Sequence, residues 1–408
     1  MMGKVRFDIN QFLNGVSFAI DFVEMDILGA SANHSRRVAY ISLRIAEKLG
    51  LSKAERSDIV AYSIMHDNGL SEESLYTEVI YKPMNQLSRM EGLKEHCEIG
   101  ENNMVDYPLL SDNKDIIKYH HENWNGSGFF HLKRDEIPLL AQIIGMADFT
   151  DNLFHYENGE IAKIRSYIEK YKEIKFSPQV VDAFLSVSKH PMFWLDLKNE
   201  YLPFALKKHY VENIQTLSWD EIFDLTKVFI KIIDSKSRFT GRHSTGIVEK
   251  IEKACEFFNI IDEEKVKMKI AASLHDLGKL ATAPAILEKQ GALNKNEMNT
   301  MKSHTYFTKL SLAQIDNFED IKEWAANHHE KLNGKGYPEG LTAKQLSFNC
   351  RLMACIDIYQ ALTEDRPYRD GLSFEKTYSI MRAMVKNGEI DKYIVDEFIP
   401  HLEEQTTI

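Results

Sequence analysis

The sequence contains no apolar run that approaches the ~18 residues needed to cross a bilayer. Its N-terminal apolar stretch is interrupted by Asp8 and Asp21 and lacks a small-residue cleavage site, so we do not interpret it as a signal peptide. The cysteines show neither framework spacing nor a C-x-x-C pair, which predicts reduced core thiols at Cys97, Cys255, Cys350 and Cys355. These absences predict a cytoplasmic protein without membrane insertion.

Positive charge is also sparse. The formal net charge is −11 and no Lys/Arg-rich run occurs, so we do not expect binding to long nucleic acid. A few local cations and a metal ion could still hold a small anionic ligand. Strand-like alternation is scarce, whereas stretches such as KVKMKIAASLHDLG and RLMACIDIYQALT have helical character. The patterns therefore predict an all-α fold.

Histidine, in contrast, follows a repeated pattern. Two sets of histidines are separated by 209, 209, 208, 208 and 208 residues: His34, His66, His96, His120 and His121, and His243, His275, His304, His328 and His329. Asp67 and Asp276 differ by 209, as do Asp148 and Asp357. Chance does not hold seven positions in register to within one residue, so the chain contains one domain written twice.

This duplication predicts two tandem helical domains, residues 1–209 and 210–408. The join is expected between Pro203 and Trp219, where no Gly/Ser-rich linker separates the halves. We therefore expect the duplication to account for nearly the whole chain.

The repeated residues are suited to metal binding. Five histidines and two aspartates per copy are more polar groups than a core accommodates unless they coordinate something. Neighbouring residues on a helix point about 100° apart, so His275 and Asp276 can serve two ions, as can His328 and His329. This pattern predicts a dinuclear centre, and its imidazole and carboxylate ligands favour iron, manganese or zinc over magnesium or calcium.

Three motifs of the second copy resemble the HD-GYP family of the HD-domain superfamily. They are HDLGK at 275–279, HHEKLNGKGYP at 328–338 and DRPYR at 365–369. Members of this family are helical bacterial proteins known as metal-dependent phosphodiesterases that open cyclic di-GMP. The resemblance extends from about Asp220 to Leu402, and the first half resembles the same family with eroded motifs. It implies two tandem HD-type domains, the second of them catalytic.

The resemblance also implies roles for single residues. Two divalent ions, iron or manganese, would hold a bridging hydroxide, and their ligands would be His243, His275, Asp276, His304, His328, His329 and Asp357. The predicted catalytic residues are His275, Asp276, Lys279 and Asp357, and the predicted substrate contacts are Lys279, Arg366, Arg369, Tyr337 and Tyr359. Some members bind a third ion through a glutamate, but Phe239 occupies that position here.

The loop with Gly334, Gly336, Tyr337 and Pro338 admits two interpretations. Its glycines allow backbone conformations that a Cβ would forbid, and its proline restricts the exit, so a tight turn that orients the paired histidines is the primary role. The family suggests a second role, as a surface for a signalling protein partner.

The first copy retains every ligand type, which predicts a further metal site at His34, His66, Asp67, His96, His120, His121 and Asp148. Leu70 replaces Lys279, Phe129 and Phe130 replace the Tyr-Pro pair, and no RPYR follows. We therefore expect residues 1–209 to be regulatory or structural.

The second copy departs from the family as well. Gln360 lies where an aspartate is usual three residues after the final metal aspartate, whereas the first copy retains Asp151 there. Asn333 replaces another common aspartate. Glutamine cannot shuttle a proton near neutral pH, so these changes weigh against fast turnover.

The sequence predicts hydrolysis of a cyclic dinucleotide, with cyclic di-GMP as the first candidate substrate and cyclic GMP-AMP as the second. A catalytically weak cyclic-dinucleotide receptor is the alternative, and a hydrolase of mononucleotides is a third possibility. The sequence is compatible with a linear dinucleotide or mononucleotides as the product and with a homodimer.

Overall fold

The computed structural model describes residues 3–28, 32–71, 94–156, 159–235, 243–289, 291–365 and 370–404. Arg366, Arg369 and Phe239 lie outside these residues. The described chain is predominantly helical, which confirms the all-α prediction, and its two short strands, β1 (Val5–Asp8) and β2 (Ile214–Leu217), pair in one small sheet. No helix in the described ranges combines the length and apolarity needed for a membrane span.

The chain divides into two compact units. The first unit is Phe7–Gln215, and the second is Thr216–Ile408 together with Met1–Arg6. The helices of the first unit are α1 (Ile9–Leu28), α2 (His34–Leu49), α3 (Lys53–Met65), α4 (Lys94–Met104), α5 (Leu139–Tyr156), α6 (Ile161–Lys170), α7 (Pro178–Val187), α8 (Pro191–Asp196) and α9 (Leu202–Lys208), with 3₁₀ turns at Asn68–Ser71 and Arg134–Glu136.

The second unit repeats the helical order. Its helices are α10 (Trp219–Ser235), α11 (His243–Phe257), α12 (Asp262–Leu274), α13 (Pro284–Leu287), α14 (Lys295–Leu312), α15 (Glu319–Ala326), α16 (Phe348–Thr363), α17 (Phe374–Lys386) and α18 (Ile399–Glu404), with a 3₁₀ turn at Leu277–Ala281 and a π-helical turn at Ile394–Phe398.

The first histidine-bearing helix of each unit begins in the same way. Asp21 Oδ1 accepts hydrogen bonds from the backbone N–H and the hydroxyl of Ser35, at 2.9 and 2.7 Å. Asp234 Oδ1 does the same for Ser244, at 3.2 and 2.6 Å. These bonds satisfy N–H groups that a helix start leaves without partners, and so they hold the adjacent histidine in place.

The apolar faces of these helices form the cores. In α11, Ile247, Ile251, Ala254 and Cys255 lie on one side of the helix and are buried. Helix α11 packs on α12 and α16, while α14 packs on α15 and on the turn at Leu277–Ala281. All four cysteines are free and buried, as predicted.

Candidate metal centres

Five helices of the second unit bring its seven predicted ligand residues together, five of them at helix ends. His243 begins α11, the His-Asp pair follows α12, the paired histidines follow α15, and the remaining two residues lie within α14 and α16. We call this set the second-unit cluster: His243, His275, Asp276, His304, His328, His329 and Asp357. All are buried except His329, whose side chain is 27% exposed and therefore marks the open side.

Asp276 lies between two pairs of histidines. Its Oδ2 atom lies 3.2 Å from His275 Nε2 and 3.8 Å from His243 Nε2. Its Oδ1 atom lies 3.6 Å from His304 Nε2 and 3.8 Å from His328 Nε2. Each carboxylate oxygen thus faces a different pair, an arrangement in which one carboxylate can bridge two ions.

Asp357 joins the two groups from another side. Its Oδ1 atom lies 3.3 Å from His243 Nε2, and its Oδ2 atom lies 3.8 Å from His329 Nδ1. Candidate ligand atoms lie within 4.8 Å of one another in two separate groups: His243, His275 and Asp276, and His304, His328 and His329. The second unit therefore has two candidate metal-binding groups next to each other.

Hydrogen bonds orient the histidine rings. The Nδ1 atoms of His275, His304 and His328 lie 2.6–2.7 Å from the carbonyl oxygens three residues earlier. His243 is the first residue of its helix, and its Nδ1 atom lies 2.9 Å from Glu364 Oε2. A proton donated from Nδ1 leaves the Nε2 lone pair directed at the centre, as metal ligation requires.

Burial favours the neutral form of His304 and His329. It lowers the pKa of His304 to about 3 and that of His329 to about 4. Burial opposes ionisation of Asp276, but its interactions with His275 and with the Lys279 ammonium group hold the Asp276 pKa well below the usual range. Neutral imidazoles at His304 and His329 beside an ionised Asp276 are protonation states that bind a cation.

The pKa of His243 shifts in the opposite direction from those of His304 and His329. Burial opposes its charged form, but its hydrogen bonds to Asp357 and Glu364 raise the pKa of His243 to about 9. A cation at this position would compete with the ring proton.

Buried atoms without partners test whether these residues fit a metal. Among the described residues, no hydrogen-bond partner is found for His275 Nε2 or Asp276 Oδ1. Burying such groups unpaired is costly, and imidazole nitrogen and carboxylate oxygen are ligands of iron, manganese and zinc. The second-unit cluster therefore fits divalent cations.

The first unit contains the corresponding set, which we call the first-unit cluster: His34, His66, Asp67, His96, His120, His121 and Asp148. Asp67 Oδ1 lies 3.4 Å from His96 Nε2 and 3.6 Å from His120 Nε2. Its Oδ2 atom lies 3.5 Å from His66 Nε2. The central carboxylate thus has the same placement in both units.

The structure adds one residue to this cluster. The Cys97 sulfur lies within 4.8 Å of candidate ligand atoms on His96, His120 and His121. Burial raises the pKa of the Cys97 thiol to about 12. Cys97 was predicted to be a core thiol, and its position directly after a repeated histidine is the sequence signal for its place in the cluster.

The two clusters differ at the rim. Lys279 is 23% exposed, and its Nζ atom lies 2.5 Å from Asp276 Oδ2. Leu70, at the equivalent position, is buried in the core. The Tyr337 ring lies 4.9 Å from the His329 ring, whereas Phe129 lies 5.9 Å from His121. At these two positions the second unit presents an ammonium group and a phenol, where the first unit has a leucine and a phenylalanine.

Hydrogen bonds hold the glycine-containing loop in place. The Glu330 carboxylate accepts bonds from the backbone N–H groups of Glu339, Gly340 and Leu341, at 2.7–3.0 Å. A Cβ at Gly336 would lie 2.3 Å from the backbone nitrogen of Lys331. Glycine is therefore required there for close packing of the loop against the histidine pair.

Profiles described as HD domain match residues 31–153 and residues 227–394. Each match contains the central His-Asp pair of one cluster, and together they span well over half of the chain. The chain belongs to the HD-domain superfamily. The resemblance to its HD-GYP family is confirmed by curated relatives.

Relatives of these tandem HD domains are cyclic-dinucleotide phosphodiesterases. The 3′3′-cGAMP-specific phosphodiesterase 1 of Vibrio cholerae is 27% identical over 94% of this chain and 89% of its own length. The 3′3′-cGAMP-specific phosphodiesterase 3 of that organism is 30% identical over 64% of this chain and 56% of its own. A probable cyclic di-GMP phosphodiesterase of Vibrio cholerae is 36% identical over 34% of this chain and 32% of its own.

A crystal structure of a cyclic GMP-AMP-specific phosphodiesterase from Vibrio cholerae has the same fold as this chain. It is 22% identical, with a TM-score of 0.70 over 96% of this chain and 97% of the other.

The remaining predicted substrate contacts of the second HD domain are Tyr359, Arg366 and Arg369. Tyr359 is buried in α16, and burial together with the charge of Glu403 raises its pKa. Arg366 and Arg369 lie outside the described residues. These substrate contacts stay predictions.

Two carboxylates that support the second-unit cluster were not predicted from the sequence. Glu364 contacts His243, and Asp234 holds the start of α11. Asp234 had a weak signal, since Asp21 precedes it by 213 residues and so lies slightly out of register with the repeat. Glu364 had none, because its counterpart in the first HD domain is His155.

Proposed function

We propose that the second HD domain, residues 210–408, is a metal-dependent phosphodiesterase that hydrolyses a cyclic dinucleotide. The placement of Asp276 carries this proposal, because each of its two oxygens faces a separate pair of inward-directed histidine nitrogens. We infer a centre of two divalent ions, iron or manganese, with the second-unit cluster as ligands. Ions bound there would activate a water molecule and stabilise charge on the phosphoryl group.

The surrounding residues bind and orient the substrate. Lys279 is partly exposed beside Asp276, so its ammonium group can contact a non-bridging phosphodiester oxygen. The Tyr337 ring, against His329, forms one wall of the open side, where a nucleobase or ribose can pack. Arg366 and Arg369 would add forked donors for the second phosphate.

We propose 3′3′-cyclic GMP-AMP as the first substrate to test and cyclic di-GMP as the second. This reverses the order expected from sequence motifs alone. The relative that covers 94% of the chain acts on 3′3′-cGAMP, whereas the cyclic di-GMP relative cited above covers 34%. A signalling partner at the glycine-containing loop and a homodimer stay predictions, since the loop bonds above account for a structural role.

The direct test is chromatographic. Protein loaded anaerobically with Fe(II), or separately with Mn(II), is incubated with each cyclic dinucleotide, and the products are resolved over time. We expect conversion to a linear dinucleotide or to mononucleotides. Stoichiometric metal without conversion of either substrate would instead support a cyclic-dinucleotide receptor.

For the first HD domain, residues 1–209, we propose a regulatory role as a metal- and ligand-binding unit. A cavity of about 500 Å³ adjoins the first-unit cluster and is lined by His34, Asp67, His121, Phe129, Phe149 and Lys175, among others. Lys175 Nζ lies 4.8 Å from the centre of the Phe149 ring, so the cavity combines aromatic surface with a cation. Equilibrium dialysis with labelled cyclic dinucleotide and Asp276→Ala protein would test whether this domain binds the ligand by itself.

A further inference from the structure

The first histidine of each cluster depends on a side chain for its orientation. His275, His304 and His328 use a carbonyl of their own preceding helical turn. His34 and His243 are the first residues of α2 and α11, so no turn of their own helix precedes them. Their Nδ1 atoms must find an acceptor elsewhere, and in both units that acceptor is a carboxylate.

In the first unit this carboxylate is Asp151. Its Oδ2 atom lies 2.7 Å from His34 Nδ1, and both of its oxygens bond to the Arg37 guanidinium. Asp151 is buried, and although burial opposes its ionisation, the Arg37 charge lowers its pKa to about 2. Aspartate and arginine thus act together, since the cation keeps the buried carboxylate ionised.

In the second unit both partners are replaced. Gln360 lies at the position of Asp151 and Gly246 at that of Arg37, each 209 residues later. The Gln360 side chain lies against Gly246, where a Cβ would approach Gln360 Nε2 to 2.6 Å. Gln360 Oε1 accepts a hydrogen bond from Lys250 Nζ at 2.6 Å. The amide therefore fills the space of the lost ion pair.

The carboxylate reappears one helical turn later. Glu364 directly follows α16 and is four residues after Gln360. Its Oε2 atom lies 2.9 Å from His243 Nδ1, close to the 2.7 Å between His34 and Asp151. Its side chain is 13% exposed, so the contact is largely shielded from water.

We propose that Glu364 is the positioning residue for His243 and replaces the aspartate missing at residue 360. It accepts a hydrogen bond from Nδ1–H of His243 and so directs the Nε2 atom toward Asp276 and Asp357. This inference rests on the metal centre proposed above. The second unit therefore retains a carboxylate partner for His243 although residue 360 is glutamine.

A carboxylate swap tests the proposal. Outer carboxylates that hold metal-binding histidines typically contribute about 10- to 100-fold to metal affinity. We expect Glu364→Ala to weaken Mn(II) binding by about that factor and to lower cyclic-dinucleotide turnover. The double variant Glu364→Ala/Gln360→Asp should recover most of both, since an aspartate at residue 360 would have Lys250 as its cation. Gln360→Asp alone should change little.

The measurements are Mn(II) affinity by competition with a chelating dye and turnover by chromatography. Glu249→Ala is the matched control, because Glu249 is an exposed carboxylate on the same helix as His243. If Glu364→Ala does not fold, the isosteric pair Glu364→Gln and Glu364→Gln/Gln360→Asp gives the same comparison.

Three outcomes would overturn the proposal. Wild-type Mn(II) affinity in Glu364→Ala would show that His243 needs no such support. Loss without recovery in the folded double variant would show that Glu364 does more than present a carboxylate. No Mn(II) binding by the wild-type protein would overturn the metal centre together with this inference.

Discussion

In the first unit, Leu70 is buried beside the histidine cluster; in the second, Lys279 at the same position bonds to the central aspartate and reaches the surface. The central carboxylates themselves have the same placement, with Asp67 and Asp276 each between histidine groups. Duplication therefore preserved the geometry of the cage, while the rim diverged. The cage depends on where helices begin and end, whereas rim residues can change without altering the packing beneath them.

The largest expected difference is between the two central aspartates. Asp276→Ala should reduce turnover by more than about a hundredfold, because a direct ligand should matter more than the outer residues that cost 10- to 100-fold. Asp67→Ala should retain most of the rate. Metal content and product formation are measured on both variants, and equal loss in both would contradict the assignment of catalysis to the second unit.

The next comparison exchanges the rim residues. Lys279→Leu introduces the first-unit residue and should lower kcat/KM by roughly 10- to 100-fold, since hydrogen bonds to charged groups contribute about 1.5–3 kcal/mol. Bound metal should be retained. Lys295→Leu, at an exposed position on α14, is the control. An unchanged kcat/KM for Lys279→Leu would remove Lys279 from the substrate contacts.

Removal of the metal should lower the thermal stability of each unit that binds it. A ligand at 100 times its Kd stabilises the folded state by about 2.7 kcal/mol, and each kcal/mol shifts Tm by about 2–4 °C in domains of this size. We therefore expect a chelator to lower the Tm of each metal-binding unit by roughly 5–10 °C. Scanning calorimetry of Asp67→Ala and Asp276→Ala should assign each lost shift to its unit. A chelator shift retained in both variants would argue against these sites.

The smallest expected effect is the loss of stability when either of two equivalent glycines, Gly69 or Gly278, is replaced by alanine. A Cβ at Gly278 would lie 1.9 Å from the His304 carbonyl oxygen, and one at Gly69 would lie 2.1 Å from that of His96. Alanine at either position should lower the free energy of unfolding by about 1–3 kcal/mol, as overpacking usually does. Gly291→Ala, with open space around it, is the control for denaturant titrations. A neutral Gly278→Ala would contradict this close packing.

Much of the fold and of both clusters could be predicted from residue types in register. The histidine offsets identified the duplication, and the helical character of KVKMKIAASLHDLG and RLMACIDIYQALT identified α12 and α16. The motifs predicted the HD-GYP family, which the comparisons confirmed. These features are local or repeated along the chain, so they can be recognised in the amino-acid sequence alone.

The contact between Glu364 and His243, the first histidine of the second-unit cluster, could not be predicted in this way. Gln360 was expected to weigh against fast turnover, because equivalent positions of the two copies were compared and residue 364 has no equivalent carboxylate in the first copy. Cys97 was likewise assigned to the core, although its sulfur lies among the histidines.

The sequence by itself thus determined the two-fold repeat, the helical class and the identity of the repeated cage residues. Only the tertiary structure decided which atoms face each other across α11 and α16. A longer side chain one turn further along can place its carboxylate where a shorter one did before. Such a replacement conserves the position of an atom in space and not the position of a residue in the chain, so only the packed structure reveals it.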